Sequence, residues 1–214
     1  MIGAFGSRRV PLWAVFLLST VVTGCGALRS ATTPPPSFYS LDLSRADTPY
    51  TDAASTHTLL VSVPQAASGY DSQRIIYLRQ AHGLEYFAHS EWIDTPARML
   101  APMIIATIQD SGTFRAVIPA PSSARGDLRL DTEIIRLHQD FRHTPSRVRF
   151  TLRARLIDGK TQHVVASHEF DDSSPAPSDD PYGGIVAANR VVRMILDELA
   201  VFCAQASLGT AAVR

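Results

Sequence analysis

The chain of 214 residues predicts an α+β domain: a mixed, mostly antiparallel β-sheet with two main helices packed on one face. Three observations predict it. Within residues 127–170, apolar and polar side chains alternate with the period of a strand. Near the C-terminus, Ile185, Ala188, Val192, Ile195, Leu199 and Phe202 recur at helical spacing and form one apolar stripe. A further helical stretch opens at Asp94-Thr95-Pro96, between runs of short, strand-like segments.

From the N-terminus, Arg8 and Arg9 precede an apolar run from Val10 to Val22, and no acidic residue occurs before Asp42. A positive start, a short apolar core and small residues form the pattern of a signal peptide. The run falls short of the roughly 20 apolar residues that a bilayer span needs. It closes in Val22-Thr23-Gly24-Cys25, which resembles the bacterial lipobox. That resemblance implies cleavage between Gly24 and Cys25, a diacylglycerol on the Cys25 thiol and acylation of the new N-terminus. Gly26 rather than aspartate after the cysteine implies sorting to the outer membrane. Residues 26–37, rich in small residues and ending near three consecutive prolines, read as a semi-rigid tether. The expected organisation is a signal peptide over 1–24, a lipidated cysteine and tether over 25–37, one domain over 38–206 and a tail over 207–214.

Within the domain, Phe38 to Leu43 and His57 to Pro64 read as strands joined by a polar connection. Ile75–Leu78 and Leu84–Ala88 read as a hairpin around Gln80-Ala81-His82-Gly83. In the helix that follows, Met99, Leu100, Met103, Ile104 and Ile108 keep helical spacing, and Gly112 ends it. Pro102 predicts a bend or a late start, because an interior proline costs about 3 kcal/mol. Phe114 to Ile118 reads as a strand.

The alternation is strictest where Val148, Phe150, Leu152, Ala154 and Leu156 interleave with Arg147, Arg149, Thr151, Arg153 and Arg155. Asp158-Gly159 turns that strand into Val164–Phe170. In the strand before it, Leu128, Leu130 and Ile134 share one parity and Ile135, Leu137 and Phe141 the other, so a bulge is expected near Ile134-Ile135. Residues 171–181, acidic and broken by proline, read as a loop.

Charge and chemistry narrow the function. Lysine plus arginine and aspartate plus glutamate are equal at 20 each, which removes the basic surplus that nucleic-acid binding requires. Cleavage after residue 24 would take Arg8 and Arg9 from the 20 bases and none of the 20 acids, leaving a mildly acidic chain. With Cys25 lipidated, Cys203 stands alone, and the seven histidines show no zinc-ligand spacing. No nucleophile elbow, metalloprotease motif or phosphate loop is present, so neither an enzyme nor a cofactor or metal is expected.

The order of features resembles a known family. A lipobox and proline-rich tether lead into Phe38-Tyr39-Ser40-Leu41 and Val61-Ser62-Val63-Pro64. Arg74-Ile75-Ile76-Tyr77, Glu85-Tyr86 and Trp92, four residues before Pro96, follow. A helix ending in Ser111-Gly112-Thr113-Phe114 and a long strand reaching Gln139-Asp140-Phe141 complete the pattern over roughly 38–203. This is similar to the PqiC-type ABC transport auxiliary lipoproteins. The resemblance implies a non-enzymatic lipoprotein at the periplasmic face of the outer membrane of a Gram-negative cell. It implies a periplasmic MCE-domain protein as partner, transport of lipids or hydrophobic compounds that supports membrane integrity, and a homo-oligomeric ring. An alternative is a periplasmic ligand-binding lipoprotein, which needs a sizeable apolar pocket.

Two surfaces are candidates for docking. Trp92, near Tyr86 and Phe87, either forms an aromatic hot spot or, as such residues more often do, packs between hairpin and helix. Arg147, Arg149, Arg153 and Arg155, with Arg142, form a basic stripe. It either meets lipid headgroups or an acidic partner, or pairs with Asp127, Asp131, Glu133 and Asp140 on the neighbouring strand, the reading favoured here.

Overall fold

A computed structural model describes residues 35–42 and 56–211, with side chains as far as Leu208. Gly24, Cys25 and most of the tether lie outside the described residues. Among the described residues nine strands are present. β1 spans Ser37–Tyr39, β2 Thr58–Val61, β3 Gln65–Ala66, β4 Arg74–Leu78 and β5 Glu85–Trp92. β6 spans Ala116–Pro119, β7 Leu128–Asp140, β8 Arg147–Asp158 and β9 Val164–Pro175. The helices are α1, Pro96–Asp110, and α2, Pro181–Ala211.

β7 is the spine of the sheet. On one edge it pairs antiparallel with β8, and β8 pairs antiparallel with β9. On the other edge three short strands lie parallel to it in succession: β2 beside Leu128–Leu130, β3 beside Glu133–Ile134 and β4 beside Gln139–Asp140. Thirteen residues at about 3.4 Å each give β7 the length to hold separate blocks along one edge. β2 carries β6 in parallel, β4 carries β5 antiparallel, and β5 carries β1 in parallel.

The expected bulge is present. Ile134 lies opposite Leu152 and Arg136 opposite Thr151, which leaves Ile135 as the extra residue. Leu128, Leu130, Thr132 and Ile134 before it, and Leu137 and Gln139 after it, are therefore all buried on one face. Against them lie Val148, Phe150, Leu152, Ala154 and Leu156 of β8. Burying a side chain such as Phe150 contributes about 1.5–3 kcal/mol of transfer free energy.

Both helices close this core, α1 against β6 and β3, α2 against β8 and β9, and each against the other. Pro96 opens α1, and Asp94 accepts the Thr95 N–H at 2.7 Å just before it. The helix starts at Pro96 and runs unbroken through Pro102, so the expected late start does not occur. Pro102 is exposed, and the carbonyl its missing N–H leaves free belongs to Arg98, also exposed, where water can satisfy it. Gly112 closes the helix at φ 63, a conformation glycine adopts without strain.

Two expectations are corrected. Residues 171–175 extend β9 rather than forming a loop, with Asp171 opposite Thr151 and Ser174 opposite Val148. α2 runs to Ala211, so residues 207–211 are helical, and Ser207 is buried. Among the described residues no helix is long and apolar enough to cross a membrane.

Candidate functional site

β8 turns Arg147, Arg149, Thr151, Arg153 and Arg155 away from the core, onto the outer face of the sheet. The bulge brings Arg136, His138 and Asp140 of β7 onto the same face, opposite Thr151, Arg149 and Arg147. The face divides at Ile135.

On the Glu133 side, charges interlock. Arg153 donates to Glu133 at 3.2 Å and to Glu169 at 2.8 Å, bridging three strands. Arg129 holds Asp131 at 3.1 Å, and the Ser62 hydroxyl donates to the same carboxylate at 2.6 Å. Arg155 sits between Asp131 and Ser167 in register and has no ion-pair partner among the described residues.

On the Asp140 side, Arg149 grips Asp171 with both arms of its guanidinium, and the Thr151 hydroxyl donates to Asp171 at 2.7 Å. These donors hold the Asp171 carboxyl down at about 2. Arg142 closes on Asp140 with Nε at 2.8 Å, Nη2 at 2.7 Å and its backbone N–H at 2.9 Å, which also lowers that carboxyl to about 2. Arg136 and Arg147 have no ion-pair partner among the described residues. His138, 7% exposed, meets the Tyr70 hydroxyl at 3.0 Å through Nδ1, and desolvation lowers its pKa to about 4. A surface cleft of about 240 Å³ lies here, lined by Arg142, His143, Arg147 and Arg149 with Asp140 and Asp171.

The arginine stripe is thus one continuous face, but its members differ. Arg149 and Arg153 are engaged, although Arg149 pairs with β9 rather than with β7. Trp92 is corrected as a surface candidate: at 3% exposure its ring belongs to the core, among Ile75, Leu137 and the start of α2. Tyr86, half exposed, carries the Arg74 guanidinium over its ring at 4.2 Å. Phe87 joins Tyr77 and Phe141 in a half-buried aromatic cluster. The sequence reading missed Arg136, His138 and Tyr70. The expected bulge carried the signal for the first two, because it sets them on the arginine face.

Elsewhere, a groove of about 460 Å³ between β9 and α2 is lined by His168, Phe170, Val201 and Phe202. Inside the fold, the gap between β4, β7 and α2 is about 10 Å³, room for one water, beside the unpartnered Gln139 Oε1. Burial raises the Cys203 thiol to about 12. Among the described residues no group of His, Cys, Asp and Glu is placed to hold a metal ion.

A mixed sheet with two helices over it and an outer face of paired charges define an α+β type of domain. The chain belongs to the family of ABC-type transport auxiliary lipoprotein components, whose model matches residues 39–200. That family describes accessory lipoproteins of ABC-type transport systems and not a known class of enzyme. Among solved structures, a DUF330-family protein from Xanthomonas campestris is similar, with 23% identity and a TM-score of 0.74. The match covers 82% of this chain and 99% of that one. An uncharacterised protein matches with 13% identity and a TM-score of 0.59, over 80% and 97% of the two chains. Both likenesses are of fold. Comparison with curated proteins yields no match.

Proposed function

We propose that this chain is the non-enzymatic outer-membrane lipoprotein of a transport system that moves lipids or other hydrophobic compounds between the inner and outer membranes. Acyl chains on Cys25 hold it at the periplasmic face, the tether sets its reach, and the domain docks a periplasmic MCE-domain protein, with copies of the chain assembling into a ring. The observation that carries this reading is the family match over residues 39–200, in a chain whose leader ends in a lipobox. Two or more acyl chains make anchoring stable, at about 0.8 kcal/mol per buried methylene.

Native capture from crosslinked membranes tests the partnership. Recovery of an MCE-domain protein together with a permease and an ATPase is the expected result, and repeated capture without any of them overturns it. Cys25→Ala should abolish incorporation of a clickable palmitate, and unlabelled wild-type protein would remove the anchor from the proposal.

A further inference from the structure

The exposed side of α2 carries a pattern that the fold itself does not use. Met194, Val201 and Leu208 are 41%, 56% and 70% exposed and stand seven residues apart. Seven residues are just under two helical turns, so the three side chains form one line, about 21 Å long at 1.5 Å per residue. Glu198 and Gln205 fall between them at spacings of four and three, which completes the seam that one helix presents to another. Lone exposed apolar residues are ordinary on a protein surface, whereas three in line along one helix make an unfilled contact.

Beside this line lies the groove of about 460 Å³ between α2 and β9. Its floor is aromatic: Phe170 meets Phe202 edge-on at 6.0 Å, and His168 meets Phe170 at 4.6 Å. Phe170 is buried, which fixes the floor before anything docks. The two elements run antiparallel, since Arg190 reaches Ser174 and Pro175 at the end of β9 while Phe202 stacks on His168 nearer its start. The groove therefore follows α2 and admits an elongated guest.

Charge decides what fits. Asp197 and Glu198 line the groove, no base lines it, and neither carboxylate has an ion-pair partner among the described residues. Arg190 lies over Ser174 and Pro175 at the far end of β9, and Arg193 stands one turn before Asp197, outside the lining. A second copy of α2 does not satisfy this surface. An antiparallel pair centred on Val201 sets Met194 against Leu208, but leaves Asp197 and Glu198 facing Gln205 and Ala204 rather than a base. Centring it between Ile195 and Leu196 brings Arg193 opposite Glu198, but sets Met194 against Asp197 and Arg190 against Val201. A parallel pair sets each Glu198 against its own copy. Apolar contact and charge pairing thus require different registers, and only a helix of another sequence meets both. An anionic membrane surface is repelled by the same two acids.

We propose that this face of α2, with its groove against β9, is where the partner docks, and that the docking element is an amphipathic helix. Its apolar residues, at spacings of three and four, cover Met194, Val201 and Leu208. One large side chain enters the groove over Phe170 and Phe202, and lysine or arginine meets Asp197 and Glu198. The proposal rests on the reading of this chain as a docking subunit, and adds the site and the chemistry of its guest. The apolar line supplies affinity and the acids supply orientation, since charges at a rim steer and select more than they bind.

The test uses the full-length chain in its native membrane. p-Benzoylphenylalanine replaces Val201 or Leu208 on the line, or one of two exposed controls, Tyr182 on α2 away from the line and Gln80 on the β4–β5 turn. Photolysis should join positions 201 and 208 to one protein other than this chain, at about fivefold or more the yield at 182 and 80, as a central contact requires. The joined peptide should carry apolar residues at helical spacing and a lysine or arginine within one turn of the adduct. Asp197→Lys together with Glu198→Lys should cut the yield by about threefold or more, and glutamate in place of the mapped bases should restore it. Adducts to a second copy, to lipid, to a peptide without a base, or at no more than the control yield overturn the proposal, as does a yield that ignores the charge reversal. If native capture recovers the transport components while 201 and 208 stay at control yield, the docking reading stands and the site falls. If capture fails while the line-specific adducts persist, the site stands and only the identity of its partner falls.

Discussion

On the outer face of β7, β8 and β9, the stretch before Ile135 and the stretch after it use the same residue types and reach different electrostatics. Before the bulge, Arg129 and Arg153 are matched by Asp131, Glu133 and Glu169, and Arg153 ties all three strands. After it, Asp140 and Asp171 are each claimed by one arginine, and Arg136 and Arg147 have no ion-pair partner among the described residues, beside a half-buried Tyr70 paired with the buried His138. A single extra residue makes the difference. If Ile135 held a regular strand position instead of bulging, Arg136, His138 and Asp140 would keep the parity of the core. The lesson is that a basic strand face is not one site: pairing is decided position by position by what the neighbouring strands offer.

The largest expected effect comes from breaking the divider. Inserting one alanine between Leu137 and His138 undoes the phase that the bulge sets and forces His138 and Asp140 toward the core and Gln139 outward, at a cost of more than about 5 kcal/mol. Circular dichroism should show no cooperative thermal transition.

The next effect sharpens the contrast by pH. Burial keeps the His138 imidazole neutral in the fold down to about 4, whereas the unfolded chain takes up its proton near 6.5. Its contribution is therefore complete above pH 6.5 and is lost as pH falls toward 4, by about 2 kcal/mol after discounting for partial solvation. Denaturant midpoints at pH 7 and 4.5 should show this slope in the wild type and a flatter one in His138→Gln.

Asp171→Asn tests the strand extension at the same end. At neutral pH the loss should stay within about 1 kcal/mol, because the pair is largely solvated. In the wild type the Asp171 contribution is present above the unfolded value of 3.8 and disappears as pH falls toward 2. A variant matching wild-type stability at pH 7 and at pH 2 would deny Asp171 any part in holding β9. The smallest effect is expected from Arg147→Glu and Arg155→Glu. Each should shift the denaturant midpoint by no more than about 0.5 kcal/mol of stability.

Much of this was legible in the sequence. The parity switch at Ile134-Ile135 announced the bulge, the alternation of β8 announced the face, and the spacing of Ile185 to Leu199 announced α2. What was missed depends on partners distant in the chain. Asp171 to Pro175 have the composition of a loop, and only Arg149 and Thr151 opposite them make a strand. β7 as a spine with three parallel neighbours is equally invisible, because nothing local in a short strand names its partner. Trp92 is ambiguous by composition and is settled by the packing of α2 above it. The family resemblance was carried by the order of several short motifs, and the match over residues 39–200 bears it out.

β9 pairs with β8 alone among the described residues, which leaves twelve residues of open strand edge, with Val164 and Val165 exposed at its start. Such an edge is a template for unwanted strand pairing, and lipid anchoring would crowd many copies into two dimensions. Glu169 and Asp171 on one face, Asp172 on the other and Pro175 at the end work against that stacking. The acids that neutralise the arginines thus also act as gatekeepers, working against pairing of this open edge with the edge of another chain.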